Sequence, residues 1–340
     1  MIRKRVCLNS LWIVAVTFLM TACGLQHEWV FDGQSVPGVH SRGLYVKDST
    51  IIITGSKGVF STYNFQGEQL SLDSVPEVQD FRDVMMFNDG SMSLMEGSNN
   101  SHMVHVNPKG GKKIVYRRSA TFIDGMDFWD DQNGIAYGDP WNLHFYLLRT
   151  TNSGQKWLTL SRSEIERPKR GEAGLAASGT GIQCIGDSIA IFGTGCVDTP
   201  RVFITADRGD SWNFYHTPMK GGETGGIYSL FFWTENDGVI IGGDYRTPEA
   251  RDSICYRTSD QGKTWTDASK GLGGYCSTVQ GREDGALLIA SGRVGTYYSL
   301  DQGKKWKKLT DKKFYSCFVT DTHVVFSGKD GAFAIMAYEL

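Results

Sequence analysis

The chain has 340 residues, of which 40% are hydrophobic and 12% aromatic, with 41 Gly and only 8 Pro. That composition folds, and it excludes a disordered or collagen-like chain. The 35 basic and 37 acidic side chains nearly cancel, which excludes the strongly basic footprint of a nonspecific nucleic-acid binder.

Residues 1–22 have the form of a signal peptide. Arg3, Lys4 and Arg5 precede an apolar stretch from Leu8 to Met20, followed by Leu19-Met20-Thr21-Ala22-Cys23. Small residues ahead of a Cys at the end of an apolar run predict a lipoprotein signal. Cys23 is then the lipidation site and first mature residue, with residues 23–26 as lipidated Cys and tether. Several acyl chains on one residue give stable anchoring. Loss of residues 1–22 removes three cations and no anions, leaving 32 basic against 37 acidic side chains. No strong acidic run follows Cys23, so the expected location is the bacterial cell envelope, anchored to the outer membrane on its periplasmic side. Cys184, Cys196, Cys255, Cys276 and Cys317 have neither C-x-x-C spacing nor even number, so they predict no disulfide framework and no zinc site.

Residues 27–340 carry a repeat. Ser/Thr-x-Asp-x-Gly-x-x-Trp occurs at Thr205, Asp207, Gly209 and Trp212, at Thr258, Asp260, Gly262 and Trp265, and at Ser299, Asp301, Gly303 and Trp306. A fourth copy, Thr150, Asn152, Gly154 and Trp157, has Asn in the Asp slot. The acid bonds backbone N–H groups across a tight turn, Gly takes positive φ, and Trp fills space between neighbouring sheets. Period and strand content predict a propeller. Seven segments show an apolar run, a polar or Gly turn and a second apolar run; they start near Gly43, Arg82, Asp124, Gly174, Tyr228, Tyr275 and Tyr315. A third strand follows in most, at 145–149, 202–205, 254–258 and 296–299, with the repeated turn at its end. Blades one and two have eroded turns at 64–67 and 107–111. The expectation is an all-β, seven-bladed propeller whose last blade takes its fourth strand from 28–32, hiding open edges. The charged insertion 161–171, between blades three and four, is either a solvated loop or a lid.

These turns resemble those of the BNR/Asp-box propellers, sialidases included. A closer resemblance is to photosystem II stability/assembly factor-like propellers. It rests on Phe-x-Asp-Gly-Met-x-Phe-x-Asp at 122–130, Gly138-Asp139-Pro140, Gly171-Glu172-Ala173, Ala177-Ser178-Gly179-Thr180 and Gly242-Gly243-Asp244-Tyr245, and spans residues 40–335. The resemblance implies a secreted or lipid-anchored, non-catalytic binding or assembly protein. No cofactor is expected: the chain lacks a strand-to-helix G-x-G-x-x-G, a C-x-x-C-H and a metal cluster. The turn at 130–134 lacks the distal bidentate Glu of a calcium loop.

Up-and-down blades sort residues between two rims. The repeated turns share one. Inner-strand starts and second-strand ends share the other, where Arg42, Arg82, Asp83, Asp124, Asp139, Glu172, Tyr228, Asp244, Arg246 and Arg293, with Lys57, Tyr275 and Tyr315, converge on the central funnel. A concave site with convergent charged and aromatic groups is the expected place for a small ligand or an envelope protein partner. The same Arg–Asp pairs would also serve to tie blades together. Asn152, Asp207, Asp260 and Asp301, with Trp157, Trp212, Trp265 and Trp306, are expected to be structural. The alternative is a sialidase-like glycoside hydrolase in the same funnel, since arginine forks bind carboxylates and Tyr nucleophiles occur in that chemistry. No Arg-Ile-Pro stands near the start and the arginines do not follow the sialidase pattern, so no catalytic residue is assigned.

Overall fold

The computed structural model describes residues 24–160 and 163–340. Residues 1–22, where a signal segment is expected, and Cys23, Ser161 and Arg162 lie outside the described residues. Seven four-stranded antiparallel sheets form the ring. The innermost strands are Ser41–Lys47, Phe81–Met86, Ile123–Phe128, Ile182–Ile185, Gly225–Phe232, Cys276–Gly281 and Ser316–Val319. The chain is a seven-bladed β-propeller with no α-helix among the described residues.

Burial follows strand position. The second strands are covered on both faces by neighbouring blades, so they are continuous apolar runs rather than alternating ones. Ile51, Ile52 and Ile53 in blade 1 and Val239, Ile240 and Ile241 in blade 5 are all buried. The fourth strands face solvent on the outside; Gln69–Ser74 is exposed along most of its length.

Ring closure uses the chain's first described strand. Gln26–Gln34 pairs antiparallel with Ala332–Glu339, Gln26 opposite Glu339 and Gln34 opposite Ala332. This is the expected closing strand, longer at both ends than the 28–32 read from sequence. It leaves Gln26 on the rim that carries the repeated turns.

Those turns share one geometry. The hydroxyls of Thr205, Thr258 and Ser299 donate to Asp207, Asp260 and Asp301 at 2.7–2.8 Å. The same hydroxyls accept the N–H of Gly209, Gly262 and Gly303 at 2.9 Å. Each acid then receives the N–H four residues on, from Ser211, Thr264 and Lys305. Asn152 does the same for Lys156 at 3.0 Å, because an amide oxygen suffices as acceptor. Two consecutive left-handed residues make the turn, Arg208 and Gly209 at φ 58° and 91° for example. The eroded turns use Asn64 and Asn107, whose side-chain oxygens each accept two backbone N–H groups. Trp157, Trp212 and Trp306 are buried between adjacent blades, and Trp265 is half-buried against the blade 4–5 interface.

The described part of the 161–171 insertion, from residue 163 on, is neither a free loop nor a lid. Glu164 pairs in parallel with Ser211, beside the repeated turn of blade 4. Arg167 accepts a bond from Arg201 through its carbonyl, and Ala173 pairs with Gly195 on the opposite rim. The described part of the segment is a strap that climbs blade 4. A second departure follows from it. The first strand of blade 4, read as starting near Gly174, begins only at Ile182. Residues 174–181 instead dip into the mouth of the central channel. Small residues permit this close approach: a Cβ on Gly174 would collide with the Asp124 carboxyl, and one on Gly179 (φ 75°) with Asp83.

Candidate functional site

The funnel is built by a repeated irregularity. In blades 1, 2, 3, 5 and 6 the pairing of first and second strands skips one residue near the start. The skipped residues are Arg42, Arg82, Asp124, Tyr228 and Ser277. A bulge re-aims a side chain out of the pleat, and here each bulged residue lines one cavity of about 1280 Å³. Asp139, Tyr275, Arg293 and Tyr315 complete the set of expected residues on its wall.

Segment 174–181 forms the floor. Arg82 Nη1 donates to the Ala176 carbonyl at 2.7 Å and Arg42 Nη1 to the Ala177 carbonyl at 3.2 Å. Ser178 Oγ donates to the Ser277 carbonyl at 2.8 Å. One stretch from blade 4 is thereby fastened to blades 1, 2 and 6. Asp80 gathers the two arginines, with Arg82 Nε at 3.0 Å and Arg42 Nε at 3.8 Å. Burial raises the Asp80 carboxyl despite both cations, and burial together with Arg82 lowers the Arg42 guanidinium. The Arg42 guanidinium carbon lies 4.4 Å from the Tyr315 ring centroid and that of Arg82 5.4 Å from the Phe122 centroid, both cation–π distances.

Asp124 and Asp139 form a carboxyl pair at the floor's edge. Asp139 accepts the Gly174 N–H at 3.1 Å. Burial and the neighbouring Asp139 hold Asp124 well above the ordinary carboxylate range; burial pushes Asp139 up to about 6. One Asp124 oxygen is buried with no N–H or O–H donor, which disfavours its charged form beside Asp139. The pair is therefore much less negative than two free carboxylates. Across the funnel, Tyr228 and Tyr275 pack edge to face at 4.8 Å, and burial raises both phenols. Arg293 is exposed, lies 5.3 Å from the Tyr245 ring centroid and donates to the Tyr245 carbonyl.

Five expected site residues stand elsewhere. Asp83 lies below the floor, in a channel cavity of about 270 Å³. There it accepts the N–H of Val84 and of Met126 in the next blade, each at 2.9 Å. Asp127 repeats this latch toward Cys184 of blade 4 at 2.7 Å, and burial pushes it up to about 6. Glu172 is buried under the strap, where Arg201 Nε and Thr194 Oγ1 donate to one oxygen at 2.9 and 2.8 Å, and Arg201 Nη2 and the Lys169 N–H to the other. Asp244 caps a turn, accepting Thr224 Oγ1 and the Arg246 N–H. Arg246 pairs with Glu223 in solvent at 2.8 Å. Lys57 holds a left-handed turn at φ 63°. Sequence reasoning missed Asp80, Phe122, Ala176, Ala177, Tyr245 and Ser277. Position would have found Ser277, since it occupies the same bulge as Tyr228 and Arg82.

No metal-holding group of three His, Cys, Asp or Glu occurs among the described residues. The funnel thus gathers arginines, aromatic rings and a carboxyl pair of reduced charge on one wall, and comparison places the fold in known company. No protein-family model and no curated protein matches the chain. Among solved structures it is similar to a catalytically inactive virginiamycin B lyase from Staphylococcus aureus with quinupristin, at a TM-score of 0.67 and 13% identity, covering 92% of this chain and 99% of that one. It is similar to YCF48 bound to a D1 peptide at 0.65 and 11%, covering 92% and 95%. YCF48 from Cyanidioschyzon merolae matches at 0.64 and 13%, covering 92% and 98%. At such identities the likeness shows the fold alone, and the neighbours' roles differ.

Proposed function

We propose that this chain is a lipid-anchored binding or assembly propeller of the cell envelope, a member of the Asp-box, photosystem II assembly factor-like group, and that it is non-catalytic. Its funnel takes an extended, anionic segment of a partner protein. The observation that carries this reading is the funnel wall: Arg42, Arg82 and Arg293, with Lys313 and Lys329, surround a floor whose two nearest acids are both raised by burial, which lessens their negative charge. Aromatic rings between the cations supply apolar contact for intervening side chains. A propeller of similar fold is described as binding a peptide, which fits an elongated ligand. Asp139 holds the Gly174 N–H and Asp124 lies beside it, which fits a clamp on the floor rather than a hydrolytic acid and base. Glu172, the residue a glycosidase reading would favour, has both oxygens occupied.

The test is capture of envelope proteins by the tagged chain under crosslinking, with Arg293→Glu plus Lys313→Glu as the variant. Both side chains are exposed, so folding is expected to be unchanged by thermal melting. Expected is a tenfold or greater loss of the captured partner. Undiminished capture by a folded variant would overturn the funnel as the site. Turnover of aryl glycosides or sialosides abolished by Asp139→Asn would overturn the non-catalytic reading.

A further inference from the structure

Leu25, the first buried residue among those described, and the funnel sit on opposite faces. Leu25 is buried, packed in one cluster with Tyr338 of blade 7 and Leu287 and Tyr298 of blade 6. Its carbonyl is bonded to His27 Nδ1 at 3.2 Å. Strand pairing starts at once, with Gln26 opposite Glu339. The polarity of that pair places Leu25 on the Asp-box rim: Glu339 ends the third strand of blade 7, and Tyr338 donates its N–H and its hydroxyl to the hairpin residues Thr322 and Thr320. That hairpin joins the first and second strands of blade 7, the end opposite the funnel.

Cys23 is two residues before Leu25. Consecutive Cα atoms are 3.8 Å apart, so the Cys23 Cα is no more than about 8 Å from that of Leu25. The tether has no slack in which the propeller could turn over. We infer that the Asp-box rim around blades 6 and 7 is a membrane-facing surface, held within about 10 Å of phospholipid headgroups by acyl chains on Cys23, and that the funnel opens away from the bilayer. This rests on the lipid anchor proposed above. Charge does not set the orientation: the same rim mixes exposed Lys304 and Lys305 with exposed Asp321, Asp284 and Glu283. The short link does. It also fixes the partner's approach, which must come from the side away from the anchoring membrane.

The experiment places a benzophenone amino acid at Asp321 or at Lys329 of the full-length chain. Both positions are exposed and both lie in blade 7, the first on the Asp-box rim and the second at the funnel. Each variant is matured in cells, reconstituted into phosphatidylethanolamine–phosphatidylglycerol vesicles and illuminated, and phospholipid adducts are measured by mass spectrometry. Expected is at least tenfold more adduct at position 321 than at 329. A ten-residue Gly-Ser insertion between Cys23 and Gly24 is expected to bring position 321 down toward the level of 329. Equal adducts at both positions, or an excess at 329, with acylation of Cys23 verified on the same sample, would overturn the orientation while leaving the anchor standing. Absence of acyl chains on Cys23 would overturn both.

Discussion

The two rims use the same side chain to opposite ends. On the Asp-box rim, Asp207 and Asp260 sit near solvent; the modest upward pull of burial is outweighed by bonds from Ser211, Thr264 and backbone N–H groups, and both acids are held below the usual carboxylate range. At the funnel and channel, burial dominates, and Asp124, Asp139, Asp127 and Asp83 are all raised. What separates them is the supply of donors relative to water lost. An exposed turn offers several N–H groups to one oxygen pair. A channel offers one or two, and an adjacent acid as well.

The difference has a sign. An acid with a depressed folded pKa contributes stability above its unfolded value near 3.9, lost as pH falls through the folded value. An acid with a raised folded pKa contributes stability that is complete below 3.9 and lost as pH rises through about 6. The Asp-box rim thus loses its contribution as acid is added and is a source of acid unfolding, whereas the funnel floor is most secure in acid.

The largest expected effect lies under the strap. Arg201→Met leaves Glu172 buried without its cation, which costs about 3–5 kcal/mol. Chemical denaturation checks this, and restoring neutrality with Glu172→Gln in the same chain should recover part of the loss. An unchanged midpoint would mean that the strap releases freely, which would break the claim that the Arg201–Glu172 pair fastens it to blade 4. Next in size, Asp207→Ala removes the bonds to the hydroxyl and amide of Ser211 and should cost about 1–2 kcal/mol at pH 7. The loss should shrink toward pH 3, seen as a flatter acid limb in melting temperature against pH. Smallest is Asp139→Asn. It keeps the acceptor for Gly174 and gives Asp124 a permanent donor. Its melting temperature should match the parent near pH 4 and exceed it at pH 8. A parent that gains stability between pH 5 and 8 relative to this variant would contradict the raised pair.

Much of the architecture was legible because the relevant forces are local. A hydroxyl, an acid and a Gly at fixed offsets make the turn wherever they occur, so Thr258, Asp260 and Gly262 announced the blade ends and the register. Buried second strands showed as apolar runs, and the missing strand of blade 7 had to come from the other end of the chain. The site was less legible. Arg42, Arg82, Asp124, Tyr228 and Arg293 were placed on the right rim by topology. Asp83 was not distinguished from Arg82, its neighbour, because the bulge that sends one to the funnel and the other to the channel has no sequence period. Glu172 looked like a funnel acid until the strap brought Arg201 onto it. Gly174–Gly181 looked like a strand because its residues are small and uncharged; that same smallness lets it fill a channel mouth.

The sequence by itself determined the all-β repeat, the number of blades and the turn chemistry, since each depends on neighbours a few residues apart or on the pattern of a single strand, and it pointed to the closing strand by elimination, since blade 7 had no fourth strand of its own. Only the tertiary structure decided which charges share a wall, which acids are buried side by side and which segment floors the funnel. Those depend on groups brought together from blades 1, 2, 3, 4 and 6, and their protonation depends on how much water the ring excludes.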